Sequence, residues 1–92
     1  MPVHVYRKRP IEVQAVRWTG RNTKEVESFA GLDFEVLDEP VPEDSQATAQ
    51  VFDALHSTWV LLYTGDWIIR GIQGEFYPVR HAVFLESYEM VI

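Results

Sequence analysis

Residues 64–80 read TGDWIIRGIQGEFYPVR and combine glycine turn signals with two short apolar segments. Gly65-Asp66 suits a type II′ hairpin turn, in which glycine takes the first central position. Strands are predicted at residues 67–72 and 75–79, separated by a second glycine turn. Pro78 cannot donate a ladder hydrogen bond, so the last strand should lie at a sheet edge or end there. The stretch therefore predicts consecutive β-hairpins.

The residues upstream predict two further strands and a helix. Residues 11–18 alternate in polarity, which indicates a half-buried strand with Ile11, Val13 and Ala15 on one face. A second strand is expected at residues 33–37. A short helix is predicted between these strands, over residues 23–30. Its signals are an N-cap at Asn22, a capping-box acceptor at Glu25 and a C-cap at Gly31. Because so short a helix does not persist alone, its Val26/Phe29 face should pack on the sheet.

The remaining residues complete an α+β pattern. Residues 51–55 and 59–63 are predicted to form a hairpin that turns at His56-Ser57, and residues 81–88 a short closing helix. An acidic, proline-broken surface loop is expected at residues 38–48. The expected fold is a curled, mostly antiparallel sheet of five or six strands, built as β-α-β followed by a β-meander, with one or two short helices.

Composition indicates one intracellular domain, residues 1–92, with a basic N-terminal arm at residues 1–10. The chain has no cysteine, and no apolar run reaches the length needed to span a membrane. Residues 1–30 carry a net charge of +3 and the remainder −9, which together give −6. An acidic whole argues against general nucleic-acid binding, although the basic arm could steer an acidic partner. A cytoplasmic location is expected.

The sequence predicts no catalytic residue, no metal site and no cofactor. The three histidines lack metal-ligand spacing, and the four serines lack the glycine context of a nucleophile elbow. The glycines at 65, 71 and 74 precede no helix, so turn chemistry explains them better than a phosphate loop. Asp66 and Glu75 could pair as acid and base, but an aspartate after a turn glycine is usually a solvated turn residue.

Arg70 is the most notable polar residue, because the strand that carries it is apolar on both faces and should be central. A buried arginine needs a partner. An internal salt bridge, for example to Glu75, is the first interpretation. The second is a ligand or partner site, whose candidate residues are Arg17, Trp18, Trp67, Arg70, Tyr77 and Arg80. The large aromatics are expected in the core rather than on a recognition surface, with one exposed apolar patch remaining; they are Trp59, Tyr63, Trp67, Phe76 and Tyr77.

Three blocks resemble a family of small proteins encoded by bacteriophages and prophages. They are Tyr6–Gly20 (YRKRPIEVQAVRWTG), Asn22–Gly31 (NTKEVESFAG), and Gly65–Gly71 through Gly74–Pro78 (GDWIIRG and GEFYP) with Phe84 and Tyr88 behind. The Gly-Asp-aromatic core is also similar to a phage-associated group with a Pro-Gly-Asp-Tyr-Gly signature, where this chain has Thr64 for proline and Trp67 for tyrosine. The resemblance implies a phage accessory protein in a host bacterium and carries over no catalytic or binding residue.

Two function hypotheses follow. The first is a non-enzymatic accessory protein that binds a host protein or a second copy of itself. The second is a protein that binds or sequesters a small anionic, nucleotide-like ligand through arginine and aromatic stacking. Sequestering a defence signal of the host would be one such activity. An enzyme and an acidic mimic of nucleic acid are the remaining alternatives. Neither nucleic acid nor membrane is expected as a partner.

Overall fold

The computed structural model describes residues 2–92, so Met1 of the predicted arm lies outside the described residues. The fold is α+β, as predicted, but its six strands form two three-stranded antiparallel sheets and not one sheet of five or six strands. The elements in chain order are β1 (Gln14–Arg17), α1 (Thr23–Ala30), a 3₁₀ turn (Gly31–Asp33), β2 (Phe34–Val36), β3 (Ala49–Asp53), β4 (Thr58–Leu62), β5 (Trp67–Arg70), β6 (Phe76–Val79) and α2 (His81–Ser87). The strand orders are β1-β5-β6 and β2-β3-β4.

The turn between β4 and β5 explains why there are two sheets. The Asp66 N–H donates to the Tyr63 carbonyl over 2.9 Å, and Gly65 has a φ of 102°. Glycine therefore occupies the third position of this turn, which is the type II requirement and not the expected type II′ hairpin. The backbone of Trp18 also bonds to both Gly65 and Asp66. These bonds hold the turn against the end of β1, so β5 pairs with β1 and not with β4.

The two other predicted hairpins are present. β3 pairs with β4 and β5 with β6, both antiparallel. Asp53 orders the first turn, because its carboxylate accepts the N–H groups of Leu55 and His56. Pro78 lies opposite Ile68 in β6, an edge strand, as predicted.

β1 is shorter than the predicted strand and presents the opposite face to the core. Trp18 is only 1% exposed, and Val16 packs beside it in the core. Ile11, on the face that carries Val13 and Ala15, is 52% exposed. Burying the indole removes more apolar surface from water than burying the smaller aliphatic residues would, which explains the choice of face.

Helix α1 has the predicted bounds and packs on the sheets through its predicted face. Val26 is fully buried, and Phe29 meets Phe76 edge-to-face at 5.4 Å. Asn22 occupies the N-cap, but its side-chain oxygen accepts the Thr19 N–H and makes no capping bond to the helix. Its amide instead donates to Glu25, so this pair joins the helix start to the end of β1 through side chains.

One hydrophobic core joins the inner faces of the two sheets with helix α1. Its buried members are Trp18, Val26, Ala30, Phe34, Ala49, Val51, Leu62, Ile68 and Phe76. Helix α2, predicted at 81–88, lies on the other face of the β1-β5-β6 sheet, where Phe84 stacks on Trp67 at 3.8 Å. The β1-β5-β6 sheet is therefore covered on both faces. In the chain from residue 2 onward, no helix is long and apolar enough to cross a membrane.

Candidate functional site

The structure separates the six residues that the sequence suggested as one site. Trp18 belongs to the core, where its indole N–H donates to the Thr48 hydroxyl over 2.9 Å. Arg17 and Trp67 are cross-strand neighbours on β1 and β5. The Arg17 guanidinium donates to the Gly65 carbonyl, and the Trp67 indole donates to His81 of α2. These three side chains therefore already stabilise the scaffold.

Arg80 lies over the ring of Tyr63, with 5.2 Å between the guanidinium carbon and the ring centroid. The Tyr63 hydroxyl donates to the Asp44 carboxylate in the loop at residues 38–48. This hydrogen bond, then one from the Gln46 N–H, lowers the pKa of Asp44, and Arg80 adds a smaller effect in the same direction. The cluster of Arg80, Tyr63 and Asp44 thus ties the acidic loop to the sheet.

Arg70 does not form the expected internal salt bridge. The prediction that its strand is central is confirmed, since Ile68 and Ile69 are both fully buried. Arg70, however, is the last residue of β5 and reaches solvent, so it needs no buried partner. The only ion pair among residues 2–92 joins His56 to Asp53, and Glu75 instead accepts the Gln73 N–H in the β5–β6 turn. Because Arg70 is exposed and forms no ion pair among residues 2–92, its side chain is accessible to a ligand.

Tyr77 lines a surface groove of about 400 Å³ between the basic arm, the β5–β6 turn and the end of α2. The groove's basic and hydroxyl-bearing residues are Lys8, Arg9, Tyr77, Ser87 and Tyr88. Its apolar wall consists of Pro10, Ile11, Val13 and Ile72, and Glu75 supplies the one carboxylate. Arg70 borders a neighbouring depression that shares Val13 and Gly71 with the groove. Of the six predicted site residues, Tyr77 lines the groove and Arg70 lines the neighbouring depression.

The outer face of the β2-β3-β4 sheet is the second candidate surface, because neither α1 nor α2 covers it. Trp59 and Phe52 are cross-strand partners there and contact edge-to-face at 5.4 Å. Trp59 is 42% exposed, so the prediction of a core position is wrong for this residue, although it is confirmed for Phe76. Leu61 lies two residues from Trp59 on the same face. We refer to Phe52, Trp59 and Leu61 as the aromatic face; Trp59 is its exposed member, and Phe52 and Leu61 are half-buried.

The four sheet edges differ in how they are protected against pairing with another chain. β1 carries Arg17, β2 has only three residues and includes Glu35, and β6 contains Pro78. Short length, charge and proline are the features that usually discourage edge pairing. β4, with the sequence TWVLL, has none of them. The unprotected edge thus adjoins the aromatic face.

The acidic and histidine side chains that the sequence offered for acid–base chemistry lie apart from one another in residues 2–92. Asp66 is buried, in contrast to the solvated residue expected, and its carboxylate accepts the Tyr63 N–H over 3.0 Å. Glu75 lies beyond the opposite end of β5, so the two carboxylates do not meet. His81 is an acceptor for Trp67, and His56 pairs with Asp53. From Pro2 to Ile92, no three histidine or carboxylate side chains are grouped to hold a metal ion.

Sequence reasoning missed both surfaces for identifiable reasons. Lys8 and Arg9 belong to the predicted basic arm, and nothing in their local pattern shows that the arm passes the end of α2. The aromatic face could have been found from the alternation of β4, where Trp59 and Leu61 share a side opposite to Val60 and Leu62.

Comparison of the chain with protein-family models, curated proteins and solved structures finds no match.

Proposed function

We propose that this protein acts by binding, and that its first partner is a second copy of itself, which pairs along β4. The observation that carries the proposal is an unprotected edge strand beside an uncovered aromatic face. An edge strand presents unpaired N–H and C=O groups, which another strand satisfies by extending the sheet. Tryptophan beside such an edge is a common anchor of protein interfaces.

The sequence of β4 is compatible with antiparallel pairing to itself. Pairing centred on Val60 places Trp59 of each copy opposite Leu61 of the other, on the same outer face. Aromatic and aliphatic residues in such cross-strand positions stabilise a sheet by about 0.2–1 kcal/mol per pair. The contact is isologous, so it closes as a dimer and does not propagate into a fibre. The β2-β3-β4 sheets of the two copies would then join into one six-stranded sheet, and their aromatic faces would be continuous.

Sedimentation velocity at increasing protein concentration tests this proposal. We expect the wild-type chain to dimerise and Trp59→Thr, which keeps β propensity but removes the indole, to weaken the dimer about 30-fold, the effect of losing about 2 kcal/mol. Val83→Thr is the matched control, because Val83 is similarly exposed but lies on α2. A wild-type chain that remains monomeric throughout, or equal dimerisation of the Trp59 variant, contradicts the proposal.

A host protein is the second candidate partner. The same edge and face would accept a strand from another protein, and the resemblance to phage-encoded proteins supports an accessory role in an infected bacterium. Affinity capture from host lysate with wild-type and Trp59→Thr chains distinguishes this case. A host protein retained by the wild type and lost with the variant, while the wild type sediments as a monomer, would favour it over self-association.

A further inference from the structure

The groove beside the basic arm is lined by basic residues that self-association through the aromatic face does not use. Lys8 and Arg9 project from consecutive positions of the arm, and neither is in an ion pair among residues 2–92. No other lysine or arginine among residues 2–92 forms an ion pair either, so what distinguishes Lys8 and Arg9 is that both line a groove with a single carboxylate. The groove's single carboxylate, Glu75, accepts the Gln73 N–H and is held in the β5–β6 turn.

The hydroxyl groups of the groove are hydrogen-bond donors. The phenol of Tyr77 is protonated at neutral pH, as in any tyrosine, and burial, followed by the neighbouring Tyr88 hydroxyl, raises its pKa further, to about 12. Ser87 and Tyr88 supply two further hydroxyls. Phosphate oxygens accept such bonds, and charge-assisted bonds from lysine and arginine to phosphate are among the stronger ones in proteins.

The apolar wall of the groove provides hydrophobic contact. Ile11 and Ile72 are large aliphatic residues that remain well exposed, and Pro10 and Val13 lie beside them. A volume of about 400 Å³ lies within the usual range of small-ligand sites, about 300–1,000 Å³. A ligand that uses both walls must combine an anionic group with an apolar body of modest size.

We propose that this groove binds a small organic phosphate of nucleoside monophosphate size, with Lys8 and Arg9 on the phosphate and the aliphatic wall against the organic body. Tyr77 and Tyr88, which line the same groove, donate to phosphate oxygens. Arg70 lies in the neighbouring depression together with Glu12 and is outside the site. The site is separate from the aromatic face and does not depend on the state of association.

Calorimetric titration with AMP, adenosine and inorganic phosphate tests the site. We expect AMP to bind, inorganic phosphate to bind at least tenfold more weakly and adenosine not to bind, because both walls contribute. The variant Lys8→Gln/Arg9→Gln should weaken AMP binding about tenfold or more, which corresponds to about 1.4 kcal/mol. Arg7→Gln/Lys24→Gln removes the same charge outside the groove and should bind AMP like the wild type.

The proposal is overturned if AMP does not bind or if the two double variants bind AMP equally. Equal binding of AMP and inorganic phosphate would show that the aliphatic wall is unused and would also contradict it. Circular dichroism of each variant excludes loss of fold, and Tyr88→Phe offers a milder test that removes one donor. Trp59→Thr should leave AMP binding unchanged, which separates failure of this site from failure of self-association.

Discussion

At the scale of single residues, Tyr63 connects the acidic loop to the rest of the molecule. Its hydroxyl donates to Asp44 and its ring contacts Arg80. The hydrogen bond from Tyr63 is the largest cause of the lowered pKa of Asp44. A carboxylate with a lowered pKa contributes stability above its unfolded pKa, near 3.8, and loses that contribution as the pH falls through the folded value.

We therefore expect Tyr63→Phe to make folding stability less sensitive to acid. In the wild type, the contribution of Asp44 disappears as the pH falls below about 4, whereas the variant lacks most of it at every pH. Denaturant unfolding from neutral pH to about pH 3 measures the difference. Tyr6→Phe is the matched control, since Tyr6 is an exposed arm residue. Identical acid profiles for wild type and Tyr63→Phe would refute this role.

Single residues were predictable from sequence where their role is local. Gly31 ends α1 with a positive φ of 60°, and Pro78 lies in an edge strand, because backbone geometry alone imposes these positions. The exposure of Arg70 could not be predicted from sequence, because it depends on where β5 ends. Asp66 likewise became buried through a contact to Tyr63 that a turn motif does not specify.

At the scale of elements, α2 converts one sheet from half-covered to fully covered. The seven-residue helix is too short to be stable alone, so its stacking on β5 must hold it in place. Phe84 lies between Trp67 and Tyr88, with ring centroids at 3.8 and 4.9 Å. This aromatic stack leads from the covered face of the sheet to the rim of the groove.

We expect Phe84→Ala to destabilise the fold by about 2 kcal/mol, less than the 3–5 kcal/mol typical of fully buried phenylalanine, because Phe84 is half-buried. The loss of stability should be accompanied by a red shift of tryptophan fluorescence, because the Trp67 indole becomes more exposed to solvent. Leu85→Ala, at an exposed position of the same helix, should change stability by less than about 0.5 kcal/mol. Equal effects of the two variants would show that α2 does not anchor through the stack.

Helix α1 and the two hairpins were predicted because short-range signals determine them. A cap, an apolar face and a terminal glycine lie within ten residues of α1, and each hairpin turn is carried by adjacent residues. The inward face of β1 was predicted wrongly. Alternation defines two faces but does not say which one meets the core, and Trp18 at the strand's end decides it.

At the scale of the whole molecule, the division into two sheets depends on contacts distant in sequence. Trp18 bonds to Gly65 and Asp66, nearly fifty residues away, and so directs β5 onto β1. No local pattern in the β4–β5 turn distinguishes this outcome from a hairpin. The candidate surfaces depend on the same arrangement, since it leaves the outer face of the β2-β3-β4 sheet uncovered and brings the basic arm beside α2.

The division also leaves four strand edges, of which only β4 has no charge, no proline and ordinary length. Natural proteins commonly protect such edges, so an unprotected one beside an exposed tryptophan indicates a surface used for contact. Self-association and ligand binding occupy different parts of the molecule. Each therefore has its own variants, and neither test depends on the other.

Isotope-filtered NMR on a mixture of ¹³C-labelled and unlabelled chains tests the central claim most directly. Antiparallel pairing through β4 predicts intermolecular cross-peaks between the Trp59 ring of one copy and the Leu61 methyl groups of the other. These peaks should vanish in Trp59→Thr. A dimer without them, or a chain that gives no intermolecular peak at any concentration, would contradict the account.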